Sequence, residues 1–339
     1  MSLSRRLFLT AAACTLALLP ACNRESGGGK VKVAVVTNNP EDFWNICENG
    51  AKAAAEKHGV ELVFKRPERG DAAVQRDIIN DLVNQGVKGI AVSVINPEEQ
   101  TQDLKNVAAK TNLLTMDNDA DKSGRLCYVG TDNYEAGKAV GKLVKEVLPN
   151  GGKVAIFVGQ ITPINARQRF QGVVDELAGK KDADPKQPAG KYEIYKGEAI
   201  TDGASRATAT QNAADALEKL KAEANVCLVG LWAYNAPACL EAAKSKGLTG
   251  KVKIVSFDEY PDTLAGIEAG DIYATVVQDP YNFGYKSVEI LAEIAKTGDK
   301  SKADAVKGAV PHRIVAKATG ADRMSVADFN ADMNKKLGK

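Results

Sequence analysis

Histidine is nearly missing from this 339-residue chain: His58 and His312 are the only two, they lie far apart, and neither sits in an HExxH pattern. A zinc site built on imidazoles, or a triad that needs a histidine base, has almost no material. Charge of one sign is missing as well. Lys and Arg total 45 against 43 Asp and Glu, a net charge of +2, and so balanced a chain lacks the electrostatic attraction that nucleic-acid binders use. No apolar run is followed by GxGxxG or GxxxxGK[ST], so no phosphate cradle is announced. Neither a cofactor nor a metal is expected, and a nucleic-acid partner is not expected either. With 44% hydrophobic residues and only 12 prolines, the chain is neither disordered nor collagen-like and holds material for about two domains.

Membrane-length apolar runs are also lacking. The run Ala11 to Leu19 is too short for a permanent span. It follows Ser4-Arg5-Arg6-Leu7-Phe8-Leu9-Thr10, and residues 1–21 together have the layout of a signal peptide. The arginine pair before Phe8 resembles the twin-arginine export signal, which is read by a receptor that passes folded proteins. Leu19-Pro20-Ala21-Cys22 resembles a bacterial lipobox, with Cys22 as the lipidated residue; two acyl chains anchor stably where one does not. Residues 22–30 then form a lipidated, glycine-rich tether. An exported protein, lipid-anchored to a membrane in the cell envelope or periplasm, is expected. Of six cysteines, Cys14 leaves with the signal and Cys22 carries lipid. Cys227, on a strand, and Cys239, on the helix after it, are close enough to be paired, but Cys47, Cys127, Cys227 and Cys239 are expected as free buried thiols, because a chain folded before export folds in a reducing compartment.

From Lys30 onward, short β-branched runs alternate with helical patterns. Val31 to Thr37 is followed by a helix over Asp42 to His58, Glu61 to Lys65 by a helix over Ala72 to Asn84, and Gly89 to Val94 by a helix over Glu98 to Ala109. A second series starts at Lys153 to Val158, continues through a helix near Ala166 to Leu177, and repeats at Tyr192 to Lys196, Val226 to Leu231 and Val252 to Phe257. Such alternation predicts two α/β domains, each a doubly wound parallel sheet covered by helices. Asp182 to Gly190, with its two prolines, reads as an inserted surface loop. In the first helix Phe43, Ile46, Cys47, Gly50, Ala51 and Ala54 form one apolar stripe. Trp44 falls about 100° off it and is expected in the cleft, whereas Phe43 suits core and pocket equally well.

Ligands of open parallel sheets bind beyond the carboxyl ends of the strands. There the sequence places Asn38 and Asn39, then Asp117 and Asn118, then Trp232, Asp258 and Gln278. Amides and carboxylates pair with vicinal hydroxyls, and an indole face packs on the C–H face of a sugar ring, so this set suits a polyhydroxylated neutral ligand. Strand-end Asp and Asn also serve as helix caps and turns. Arg169, near the start of a helix, reads on its own as a solvated surface cation.

These landmarks resemble the periplasmic sugar-binding proteins of the ribose-binding type, receptors of bacterial ABC sugar importers. The likeness spans Val31 to Ala318. It rests on Val35-Val36-Thr37-Asn38-Asn39-Pro40 before Phe43-Trp44, on Gly50-Ala51, Thr115-Met116-Asp117 and Val129-Gly130-Thr131-Asp132-Asn133, and on Ala166-Arg167-Gln168-Arg169, Ser256-Phe257-Asp258 and Ala274-Thr275-Val276-Val277-Gln278. The resemblance implies the type I periplasmic binding protein fold, in which two α/β lobes joined by three crossovers close on one sugar. The lobes would comprise residues 31–131 with 279–309 and residues 132–278 with 310–339. Phe43 and Trp44 match the aromatic pair against the sugar, while Asp117, Arg169, Asp258 and Gln278 match polar contacts. Two positions depart from the ribose-type pattern: Asn118 stands where that pattern has Arg, and Trp232 stands near a polar Asn contact. Both departures tell against ribose itself.

The function implied is capture of a monosaccharide or related polyol between the lobes and delivery to the membrane subunits of an ABC importer, by a monomer. The same clam also fits a sensor that presents a sugar or furanosyl signal to a kinase or chemoreceptor. A lactose-repressor-like regulator lacks its basic helix-turn-helix before Val31. An enzyme would have to use Asp117 with Asp258 as an acid/base pair, and no catalysis is expected.

Overall fold

The computed structural model describes residues 30–40, 43–305 and 308–339; the signal peptide, Cys22 and the tether up to Gly29 lie outside the described residues, as do Glu41 and Asp42. Five consecutive strands open the chain: β1 (Lys32–Val36), β2 (Glu61–Lys65), β3 (Gly89–Val92), β4 (Asn112–Met116) and β5 (Tyr128–Gly130). Six more follow: β6 (Gly152–Val158), β7 (Tyr192–Ile194), β8 (Ile200–Thr201), β9 (Val226–Gly230), β10 (Lys253–Phe257) and β11 (Ala274–Val277). Three short ones complete the set, β12 (Gly308–Ala309), β13 (Arg313–Ala316) and β14 (Arg323–Met324). The helices between them are α1 (Phe43–His58), α2 (Ala72–Asn84), α3 (Pro97–Ala108), α4 (Asn133–Val147), α5 (Ile164–Ala178) and α6 (Arg206–Leu220). The rest are α7 (Asn235–Ser245), α8 (Pro261–Ala269), α9 (Pro280–Thr297), α10 (Lys302–Ala305) and α11 (Val326–Leu337).

The strands form two sheets, ordered β12-β5-β4-β3-β1-β2 and β14-β13-β11-β10-β9-β6-β7, with β8 on β6. Every pairing in the first sheet is parallel. The second departs from the wholly parallel expectation, since β13 runs antiparallel to β11. Its direction follows from its entry: β13 comes straight from β12 in the other lobe, reaches the second sheet at the cleft end, and must run against strands that finish there. The chain passes between lobes three times, after β5, after β11 and between β12 and β13, as the three-crossover expectation requires.

Period-2 alternation divides each sheet's side chains between two buried layers. Val33 and Val35 of β1 pack on one face and Ala34 and Val36 on the other; in the second lobe Val255 and Phe257 of β10 face away from Ile254. In the first lobe α1 lies directly on α9. A Cβ on Gly50 would stand 2.0 Å from the Tyr281 carbonyl oxygen, and one on Gly284 would stand 2.0 Å from that of Cys47. The second lobe repeats the device with Gly137 and Gly172 between α4 and α5. Such closeness locks the two helices of each pair into one body.

The buried arc of α1 is wider than the stripe read from the sequence and is shifted toward Trp44. That residue is 1% exposed and joins the first lobe's core, whereas Phe43 is half-buried against it. The expectation that Trp44 stands off the buried face is therefore corrected. Its indole N–H donates to Asn39 Oδ1 at 2.9 Å, which satisfies the only polar atom of the ring and lets it sink beneath the turn after β1. The four thiols among the described residues are free and buried. Burial pushes each upward, Cys127 to about 11, so they stay protonated and unreactive.

Candidate functional site

Asp117 follows β4 and Asp258 follows β10, and each turns the chain through left-handed backbone, with φ of 59° and 63°. That region is disfavoured for a residue with a Cβ, and Asp is among the few types that tolerate it. The Asp117 carboxylate is 8% exposed and accepts from the Ser93 hydroxyl at 2.8 Å. Burial, the largest influence, raises its carboxyl to about 6, with the Ser93 bond and the Arg169 charge opposing and Asp258 adding to the rise.

On the second lobe the centre is Arg169. Contrary to its reading as a surface cation, it is 3% exposed. Ala166, Arg169 and Val173 share the buried face of α5, and the close approach of α4 covers them. The guanidinium is stacked 3.9 Å from the Phe257 ring centroid, donates from Nε to Asn133 Oδ1 at 2.8 Å and from Nη1 to the Leu231 carbonyl at 3.2 Å, and lies 3.7 Å from Asp258 Oδ2. Stacking and a planar fork of donors are what arginine supplies and lysine does not. Burial pulls its pKa down, against Asp258 and Asp117, yet a guanidinium remains charged. Gln278 Nε2 donates to Asp258 Oδ1 at 2.9 Å. Burial raises the Asp258 carboxyl, with Arg169 and Gln278 opposing.

The structure thus brings Asp117 of one lobe into electrostatic range of Arg169 and Asp258 of the other. Arg169 is tied to the peptide that precedes Trp232, and Gln278 to Asp258. Asn38 Oδ1, Asn118 Oδ1 and Gln278 Oε1 are buried without a hydrogen-bond partner among the described residues. Asn118 is otherwise turned inward, its Nδ2 donating to the Val94 carbonyl at 2.5 Å. Phe43 and Trp44 meet edge to face, centroids 5.1 Å apart at 89°, but Trp44 offers the cleft almost no surface. Trp232 is half-buried.

Several residues that the sequence reading did not assign belong to this region. A cavity of about 230 Å³ lies between the lobes, lined from one side by Asp117, Asp119 and Tyr128 and from the other by Asn133, Asn165 and Gln168. Thr131, at the crossover, also lines it, and its hydroxyl is buried without a partner. Gln75 is fully buried and donates from Nε2 to the carbonyls of Thr37 and Ser93, both at 2.8 Å, fixing the ends of β1 and β3. Glu259 follows Asp258, and burial together with that neighbour raises its carboxyl to about 8. Of these, Thr131 and Asn133 had a signal in the sequence, within the Val129-Gly130-Thr131-Asp132-Asn133 motif, and Gln168 within Ala166-Arg167-Gln168-Arg169.

Two α/β lobes that hold a buried carboxylate on one side and a guanidinium, carboxylate and amide on the other define a cleft-binding protein. Residues 33–300 match the periplasmic binding protein domain family, and the chain belongs to that family. It is 27% identical to the D-allose-binding periplasmic protein of Escherichia coli (strain K12) over 274 residues, 77% of this chain and 82% of that one. It is 28% identical to the ribose import binding protein of Salmonella typhimurium over 273 residues, 78% of this chain and 84% of that one. Among solved structures it is similar to a glucose-galactose binding protein from Geobacillus stearothermophilus, with a TM-score of 0.75, 27% identity and coverage of 86% and 98% of the two chains. It is also similar to an ABC transporter solute-binding protein from Burkholderia graminis in complex with D-arabinose, with a TM-score of 0.72, 27% identity and coverage of 85% and 95%. The fold is type I of the periplasmic binding proteins, and the chain is a binding protein rather than an enzyme.

Proposed function

We propose that this protein captures a neutral monosaccharide or related polyol between its lobes and delivers it to the membrane subunits of an ABC importer. The observation that carries this reading is the convergence of Asp117 on Arg169 and Asp258 across the cleft, with amide oxygens of Asn38, Asn118 and Gln278 still unbonded. Two carboxylates around one buried cation offer hydroxyl groups good acceptors and leave an excess of negative charge that repels an anionic ligand, so sugar acids and sugar phosphates are poor ligands. Relatives that bind D-allose, ribose, D-arabinose and glucose or galactose support the ligand class. Phe43 and Trp232 add apolar faces for the ring, and Trp44 supports Phe43 from beneath.

In this reading, residues 31–131 with 279–309 close on residues 132–278 with 310–339, because the ligand contacts both lobes only when they are shut. The protein acts as a monomer. It is exported through the twin-arginine signal and held at a membrane by lipid on Cys22, with residues 22–30 as tether. A thermal-shift screen followed by calorimetry tests the ligand class, using D-ribose, D-allose, D-arabinose, D-glucose, D-galactose, D-fructose and myo-inositol, with glucuronate and a hexose phosphate as anionic controls. At least one neutral member should raise Tm, by the equivalent of about 2.7 kcal/mol at a hundredfold excess over Kd. Stabilisation by the anions alone would overturn it.

A further inference from the structure

Trp232 sits in a frame whose parts come from three separate segments. Beneath it lies Gly159, where a Cβ would stand 2.2 Å from two carbons of the indole's six-membered ring; no residue with a side chain fits under the ring as it lies. Beside it stands Tyr234, edge to face, with centroids 6.4 Å apart at 87°. Its backbone is gripped from both ends by Asn235, which is fully buried: Asn235 Oδ1 accepts the Trp232 N–H at 2.9 Å, and the Asn235 N–H donates to the Trp232 carbonyl at 2.9 Å.

All of these parts meet on Asp202, which is 6% exposed. Its Oδ2 accepts from Asn235 Nδ2 at 2.8 Å, and its Oδ1 accepts from the Tyr234 hydroxyl at 2.5 Å and from the Ser205 N–H at 3.2 Å. The backbone N–H groups of Asp202 and Gly203 donate to the Gly159 carbonyl at 3.3 and 2.9 Å, so the same loop also fixes the floor under the indole. A carboxylate that gathers a phenol, an amide and two loops fixes all of them at one point, and a fully satisfied buried network admits few alternative arrangements.

We propose that Asp202 is a positioning residue, which acts through Asn235, Tyr234 and the Gly159 loop to hold Trp232 as a preformed flat face for a sugar ring. The proposal rests on the reading of the cleft as a sugar site. Preorganisation is its physical content: a ring already fixed loses no rotamer freedom when the ligand stacks on it.

Iodide quenching of tryptophan emission tests this directly. Trp44 is 1% exposed and out of reach of the quencher, so the quenchable emission reports Trp232. Asp202→Ala should increase the quenchable fraction in the folded, ligand-free protein, and Asp202→Asn, which keeps one acceptor oxygen, should fall between it and wild type. Affinity for the panel sugar that calorimetry ranks tightest should weaken about 2- to 12-fold in Asp202→Ala, the range that loss of aromatic stacking spans. A carboxylate that merely stabilised the fold would lower Tm and leave quenching of the folded protein unchanged, and that result overturns the proposal. Greater quenching with unchanged affinity would instead remove Trp232 from the sugar site. If Asp202→Ala fails to fold, Tyr234→Phe removes one bond and is read by the same two measurements.

Discussion

Asp117 and Asp258 hold matching places in the two lobes. Each follows a central strand, each has left-handed backbone, and each donates its N–H to the next strand, Asp117 to Val129 at 3.1 Å and Asp258 to Val276 at 2.7 Å. Each carbonyl also accepts a hydroxyl from that strand, from Tyr128 at 2.8 Å and from Thr275 at 2.7 Å. Two positive-φ aspartates in one pose, facing each other across a cleft, are strain held at the proposed sugar site. Their surroundings then diverge: Asp258 has Arg169 and Gln278, whereas among the described residues the Asp117 carboxylate has only the Ser93 hydroxyl as a side-chain donor.

This difference makes Asp117 the pH-sensitive half of the site. Burial raises its carboxyl to about 6, against about 3.9 in an unfolded chain. Between those values the folded protein keeps a proton that the unfolded chain has lost, so stability without ligand falls as pH rises from about 4 to about 6. Ligand hydroxyls that donate to the ionised group work the other way, and affinity should fall as pH drops below about 6. Asp117→Asn should raise the Tm of the free protein at neutral pH, weaken sugar binding and make both profiles less steep between about pH 4 and 6, leaving the slope at higher pH that Glu259 contributes. Thermal unfolding and calorimetry across this range decide it, and a variant with the wild-type pH profile would assign the titration elsewhere.

For Arg169→Lys, affinity should drop at least tenfold, the effect of losing roughly 1.5 kcal/mol from a charged hydrogen bond. An ammonium cannot stack on Phe257 while also reaching Asn133, Leu231 and Asp258. Calorimetry with the sugar found in the screen measures the loss; wild-type affinity would show that charge alone suffices.

Gly50→Ala reverses the usual sign of a helix substitution. Alanine inside a helix normally stabilises by about 0.5–1 kcal/mol relative to glycine, but here its methyl would run into the Tyr281 carbonyl. Overpacking of this kind costs roughly 1–3 kcal/mol. Denaturant unfolding should show the loss, and a gain in stability would mean that α1 and α9 separate readily.

Cys22→Ser should release the protein from membranes into the soluble fraction, since the lipid is the proposed anchor. Arg5→Lys with Arg6→Lys should block processing of the precursor. Fractionation and immunoblotting read both; membrane retention of the first variant, or normal processing of the second, removes the corresponding feature.

Strands such as β1, β9 and β10 were legible because their β-branched runs stand between helical patterns, and β4 is a short apolar run, Leu113-Leu114-Thr115-Met116; the positions just after these strands located Asp117, Trp232 and Asp258. The two-residue strands β8, β12 and β14 left no periodicity to read. Trp44 was misplaced because helical spacing gives angles around one helix and not how deeply its first turn sinks beside Asn39. Arg169 needed a family likeness, since its burial comes from Gly137 and Gly172 drawing α4 onto α5. Ser93, Gln75 and Asp202 act through contacts that close only in three dimensions, and a linear pattern carries no trace of them.

The strand β12 has a consequence for how this chain is made. It pairs with β5 at Val129 and Gly130, so a sheet begun at Lys32 gains its last edge only after residue 309 has been synthesised. The helix α9, which packs on α1, arrives almost as late. During translation the first lobe therefore waits for nearly the whole chain while the second lobe's central strands are already complete. Its folding depends on contacts between residues more than 170 apart, which close slowly. Until then the edge of β5 stands open, and an open edge is where nascent chains pair with the wrong partner.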